Sequence, residues 1–179
     1  VNAVNDPPVL SGVPAGPFTI AEEGALTVSG ISVSDVDVVS NNLLVTLRVG
    51  HGTLRLPTSS SLSFSTAHPA AQVIFQATLT NLNSAIAAIV YVPDVHYYGN
   101  DAMSVTIDDQ GSVGQASAAG QTASASTAIV VTPVNDPPTF VVATFPGSQT
   151  VSEEATLSFT TIRVSDVDIF ATDRLLVNL

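Results

Sequence analysis

Residues 133–140 read PVNDPPTF, and residues 3–10 read AVNDPPVL. One such phrase is a turn. Two copies, with Val4 matched to Val134 at an interval of 130 positions, mark a repeat boundary. The match continues downstream. IAEEGALTV (20–28) and ISVSDVDVVSNNLLVTL (31–47) follow the first copy, while VSEEATLSF (151–159) and IRVSDVDIFATDRLLVNL (162–179) follow the second. Glu22 aligns with Glu153 and Asp35 with Asp166, both at an interval of 131, and Leu43 aligns with Leu175 at 132. Two single-residue loop insertions account for the drift. The chain therefore reads as a linker (1–8), one complete repeat (9–133), a second linker (134–138) and the first part of another repeat (139–179). Leu179 falls inside a strand pattern, so a longer array is expected; were it a true end, the partial repeat would have to borrow strands from a neighbouring chain.

The strand signals are short and regular. Leu43, Val45, Leu47 and Val49 alternate with Thr46 and Arg48, the period of a half-buried strand. Gly50–Gly52 reads as a turn to a partner strand at 53–57, forming a hairpin. The phase slip at Gly30, between Leu26/Val28 and Ile31/Val33, reads as a bulge. Leu79, Leu82, Ile86 and Ile89 are spaced for one short helix at about 81–88, capped by Thr80 or Asn81. Seven or more strands separated by turns predict an all-β fold, a Greek-key β-sandwich with one short helix, in tandem array.

Composition excludes several functions. There are four Arg, no Lys and fifteen acids, a net charge of −11, so nucleic acid is not an expected partner. Without cysteine there is neither a disulfide nor a thiolate metal site. No apolar run reaches the length of a membrane-spanning helix. No nucleophile elbow, phosphate loop or His-Glu-x-x-His occurs, and no enzyme is expected.

The acids are sorted rather than scattered. All four Glu lie in two EE pairs, and six of eleven Asp lie in the repeated ND and SDVD motifs. Asp101, Asp108 and Asp109 share the segment YYGNDAMSVTIDDQG. Calcium takes six to eight hard oxygens from carboxylates, carbonyls and water, which suits such a set. Proline after each Asp fixes the linker in an extended form. The plainer readings are a proline linker, an Asx turn at SDVD and solvated strand ends at EE. Adjacent glutamates point to opposite strand faces, which leaves one of each pair, Glu22 and Glu153, as the candidate ligand. Asp101 could instead cap a turn after Gly99. His51, His68 and His96 have no ligand spacing and read as surface or turn residues, and Tyr91, Tyr97 and Tyr98 as packing at the sandwich edge rather than as a sugar platform.

The order EE, VSDVD, DDQG, VNDPPTF resembles the cadherin repeat. RVGHGTLRLP, NLNSAIAAIVYVPDVHYYGNDAMSVTIDD and VVTPVNDPP are similar to the cadherin-like repeats of giant bacterial and algal surface proteins and to chondroitin-sulfate-proteoglycan-type repeats. That resemblance implies calcium between repeats. Glu22, Asp101, Asn135, Asp136, Asp166 and Asp168 would form the internal junction; Asn5, Asp6, Asp35, Asp37 and Asp109 (or Asp108) would be half of the preceding one. The sequence departs from the family at Pro133 and Ala3, where an acid is expected, and at Pro137 and Pro7, where an Asn is expected. These departures imply one or two ions of weak affinity, in the range of about 10⁻⁴–10⁻³ M seen for extracellular modules. The implied function is an extracellular, cell-surface or appendage module in a calcium-stiffened filament, stalk or adhesin. Its partners would be adjacent repeats of the chain, with homotypic bundling or a surface or glycan partner as further possibilities. An adhesive domain and a carbohydrate-binding accessory module of a secreted enzyme are the alternatives.

Overall fold

The computed structural model describes residues 4–38, 41–57, 60–111, 119–140, 147–158, 163–169, 174 and 176. The chain divides into two compact units, Val1–Pro133 and Val134–Leu179.

Among the described residues, the first unit holds eleven strands and one helix: β1 (Val9–Ser11), β2 (Phe18–Ala21), β3 (Leu26–Ser29), β4 (Ser32–Ser34), β5 (Asn42–Arg48), β6 (Gly52–Arg55), β7 (Ser63–Phe64), β8 (Gln72–Thr78), α1 (Leu79–Ile86), β9 (Ala88–Pro93), β10 (Gly99–Asp108) and β11 (Thr122–Thr132). Six strands form one sheet in the order β2-β11-β10-β5-β8-β7, and three form a second in the order β3-β9-β6, while β1 pairs with β4. The period-2 pattern sets the layers. Leu43, Val45, Leu47, Val73, Phe75, Met103, Val105, Ile107 and Ile129 project from the larger sheet, and Val28, Leu54, Ile89 and Tyr91 from the smaller, all fully buried. Each such aliphatic side chain contributes about 1.5–3 kcal/mol by leaving water. The fold is a β-sandwich with one short helix.

Three local expectations need correction. Strands β5 and β6 are not a hairpin: β5 pairs with β8 and β10, whereas β6 pairs with β9. The chain arches from one sheet to the other through Gly50–His51, and it can do so because residue 52 is glycine. Gly52 has φ 147°, and a Cβ there would lie 2.3 Å from Val92 O and 2.7 Å from the Tyr91 ring. Gly30 is not a bulge either; it is where the chain leaves β3's sheet and turns back as β4 to pair with β1. The helix begins at Leu79 rather than near 81, with Thr78 at the N-cap position and no side-chain cap bond. It buries Leu82, Ala85 and Ile86. Its Asn83 amide pairs with both backbone groups of Val33 on one edge of β4, accepting from Val33 N–H (2.8 Å) and donating to Val33 O (2.9 Å). This supplies the partner that an unpaired strand edge needs.

The second unit carries two described strands, β12 (Thr139–Phe140) and β13 (Val164–Ser165), paired antiparallel as Thr139↔Ser165 and Phe140↔Val164. The first unit pairs Val9↔Ser34 and Leu10↔Val33. These are the residues that the repeat alignment matches, in the same register.

Candidate metal centre

The acids of the first unit lie at two ends of the sandwich, and strand β10 separates them. Its ten residues extend over about 30 Å. Asp101 lies near its first residue and Asp108 is its last, with Asp109 just beyond.

At the upstream end the linker is bound to its own unit. Asp6 N–H donates to Asp37 Oδ2 (2.6 Å). Asp37 N–H (2.8 Å) and Val38 N–H (3.2 Å) both donate to Asp35 Oδ1, the Asx turn that SDVD encodes. Asn5 is buried; its Nδ2 donates to Asp109 Oδ2 (2.7 Å) and Ala119 O (3.4 Å). Asp109 is fully buried, and its Oδ1 accepts from Gly111 N–H and Gln121 N–H, both at 2.8 Å. Gln121 closes the ring by donating its side-chain amide to Asn5 O. Sequence reasoning misses Gln121 because it sits in a low-complexity stretch; its place opposite DDQG at the mouth of a strand pair is the available signal. Asp108 Oδ1 accepts from Gln110 N–H (2.7 Å), capping the same turn. Of the two candidates in DDQG, Asp109 is therefore the one joined to the linker.

Two oxygens in this network have no partner. Asn5 Oδ1 and Asp35 Oδ2 are buried and accept no hydrogen bond among the described residues. Each costs about 1–3 kcal/mol while unsatisfied. Both are hard donors of the kind calcium takes. An open cleft of about 320 Å³ lies alongside, lined by Asp6, Pro7, Val9, Ser34, Asp35 and Val36. The donor chemistry thus fits calcium, but the set is partial. Among the described residues, no group of three or more His, Cys, Asp or Glu is arranged to hold a metal ion.

At the downstream end, Asp101 is fully engaged. Its Oδ1 accepts from Gly50 N–H (2.8 Å) and Ala102 N–H (2.7 Å). Its Oδ2 accepts from His51 N–H (2.9 Å) and the Tyr91 hydroxyl (2.9 Å). Burial raises the Asp101 pKa, but the donors from His51, Gly50, Ala102 and Tyr91 outweigh it and hold the group below the ordinary aspartate value. Burial and the Asp101 carboxylate push the Tyr91 phenol far above its ordinary value, so it remains a donor. Three backbone amides serve the carboxylate in full and the Tyr91 hydroxyl in part, its one proton being shared with His51 O (2.6 Å), and Asp101 staples the β5–β6 arch. The His51 ring stacks on Tyr97 (centroids 4.0 Å apart, planes 11° apart). Tyr91 is wholly buried, and only Tyr98 of the three tyrosines is exposed. Glu22 is 5% exposed and Glu23 is exposed, the split expected of adjacent glutamates; Glu22 N–H donates to Thr132 O (3.0 Å), where β11 ends.

The second unit repeats the upstream arrangement. Asp136 N–H donates to Asp168 Oδ2 (2.5 Å), and Asp168 N–H to Asp166 Oδ1 (3.0 Å). Asn135 differs from Asn5: it is exposed, and its Nδ2 donates to Asp136 O (3.1 Å). The partners that bury Asn5, Asp109 and Gln121, have no counterparts within residues 134–179. Glu153 and Glu154 are exposed.

No family model and no curated protein matches this chain. Among solved structures, the seventh ScaB type I cohesin from Pseudobacteroides cellulosolvens is similar to it at 13% identity and a TM-score of 0.39, over 68% of this chain and 91% of that one. No helix among the described residues is long and apolar enough to cross a membrane.

Proposed function

We propose that this chain is a stretch of an extracellular tandem array of cadherin-like sandwiches, whose job is mechanical and whose junctions calcium stiffens. The observation that carries the reading is the clasp made twice. Asp6–Asp37–Asp35 and Asp136–Asp168–Asp166 form the same hydrogen bonds in two units, beside strand pairs in the same register. A solubilising acidic surface has no reason to recur in this way.

The clasp holds the linker against the unit that follows it. Asn5 and Asp109 orient the linker from one side, and Asp37 holds the Asp6 amide from the other. Asn5 Oδ1 and Asp35 Oδ2 are the oxygens this unit offers to a cation. These oxygens would hold a calcium ion, which would supply the positive charge that satisfies them. Asp101 is outside the proposed ligand set, because its lone pairs serve the arch. Tyr91 in the core and Tyr97 against His51 argue against a sugar-stacking platform.

The test is thermal unfolding of the whole chain in millimolar calcium and in chelator. At calcium about ten times the dissociation constant, the transition should gain about 1.4 kcal/mol. Superimposable melts up to about 10 mM calcium, well above the range of extracellular modules, would reduce VNDPP to a calcium-independent proline linker.

A further inference from the structure

Residues 60–70 form a flap along the outer edge of β8, and the attachments are few. Strand β7 pairs with β8 at only two positions, Ser63↔Gln76 and Phe64↔Phe75. Ser65 N–H donates to Ile74 O, and Ile74 N–H to Thr66 Oγ1, both at 2.8 Å. Leu54 N–H donates to Ala70 O (2.9 Å) where the flap rejoins the body. Leu62 and Phe64 pack against the core, and among the described residues His68 adds a further polar attachment. Its Nε2 accepts from Leu56 N–H at 2.8 Å, and its ring stacks on Phe64 (centroids 4.8 Å apart, planes 15° apart). Phe64 in turn lies against Phe75 of the core (5.8 Å). Leu56 is 3% exposed, and its N–H relies on the imidazole for an acceptor.

We propose that His68 is an acid-released latch: neutral, it ties the 60–70 flap to β6, and on protonation it lets go and uncovers the edge of β8. An accepting Nε2 carries no proton, so the neutral ring has its hydrogen on Nδ1. Protonation puts a donor against the Leu56 donor and adds a cation that the Arg55 charge repels. Burial first, and Arg55 second, hold the His68 pKa below its ordinary value. The sign follows. The folded chain binds this proton less readily than the unfolded one, so the latch is at full strength above about pH 6.5 and is lost as pH falls through the lowered value. Sequence spacing gives His68 as a surface or turn residue; it does lie in a bend, half-buried, and the contact with Leu56 is what spacing does not disclose.

Amide hydrogen exchange of the whole chain between pH 7.5 and 5.0, corrected for the intrinsic rate, tests this. Leu56 and Ser65 should lose up to about tenfold in protection per pH unit as pH falls from about 6.5 to the lowered His68 value and level off below it, while Val105 at the middle of β10 holds steady. In His68→Gln the amide oxygen keeps the acceptor without titrating, and protection should not change with pH. Protection of Leu56 that ignores pH in the native chain, or falls equally in His68→Gln, overturns the latch. If that variant does not fold, the native ring decides: His68 must titrate below 6.5 and the Leu56 amide shift must follow it. A ring that titrates at or above 6.5 overturns the proposal.

Discussion

Asp101 and Asp35 are both half-buried aspartates at the ends of one sandwich, and their oxygens are in opposite states. Both oxygens of Asp101 are engaged, Oδ1 by the Gly50 and Ala102 amides and Oδ2 by the His51 amide and a share of the Tyr91 hydroxyl. Asp35 takes two donors on Oδ1 and none on Oδ2. A carboxylate whose lone pairs are all occupied is a staple; one with a buried oxygen to spare has capacity for a ligand. Residue type does not separate the two, since the calcium reading of the sequence takes in both.

The sharpest way to break this comparison is to remove the staples. Asp109→Ala strips the acceptor from Gly111, Gln121 and Asn5 in a fully buried site, and should cost about 4 kcal/mol in urea unfolding without calcium. Asp101→Ala should cost about 3 kcal/mol, because its site is partly solvated and water can take over some donors. A loss below about 1 kcal/mol in Asp101→Ala would mean that the arch holds without it, and its lone pairs would again be open to a cation. The pH dependence has a fixed sign. The folded pKa of Asp101 is lowered, so its contribution is present above the unfolded value of about 3.9 and is lost as pH falls through the folded one. Asp101→Asn should flatten that part of the stability profile below about pH 4. Tyr91→Phe comes next in size. It removes one hydroxyl donor shared between His51 O and Asp101 Oδ2 and leaves the ring in the core, at a cost of about 1 kcal/mol.

The difference between the ends also marks what the sequence can disclose. Repeat spacing carries the β1–β4 and β12–β13 registers, because insertions fall in loops and leave strand pairs in step. Alternation places Leu43, Val45, Leu47 and Val49 inside, where all four are buried. Periodicity alone does not say which sheet a strand joins. The arch at Gly50–His51 has the local pattern of a hairpin because the partner of β6 is β9, some forty residues away in the chain. The pairing of Asn5 with Asp109 and Gln121 spans more than a hundred residues, and no local pattern encodes it. The Asx turn at SDVD is legible, since it is closed within three residues. Which of its oxygens remains unpartnered is not, because that depends on how β1 and the linker pack across it.

Asp35→Asn is the smallest change and the most discriminating. The asparagine keeps Oδ1, so the amides of Asp37 and Val38 retain their acceptor. Only the unpartnered oxygen is replaced, by an NH₂ group, and one negative charge leaves an end that also carries Asp6, Asp37 and Asp109. Relief of like-charge repulsion opposes the cost of a new buried donor, and the calcium-free stability should stay within about 0.5 kcal/mol of the native chain. The calcium response of this end should vanish, since an amide nitrogen is not a calcium ligand. Urea midpoints in chelator and in calcium separate the two effects. A calcium-free loss above about 2 kcal/mol would show that the second oxygen of Asp35 is held by donors just as those of Asp101 are, and the distinction between the two ends would fail at the residue on which it rests.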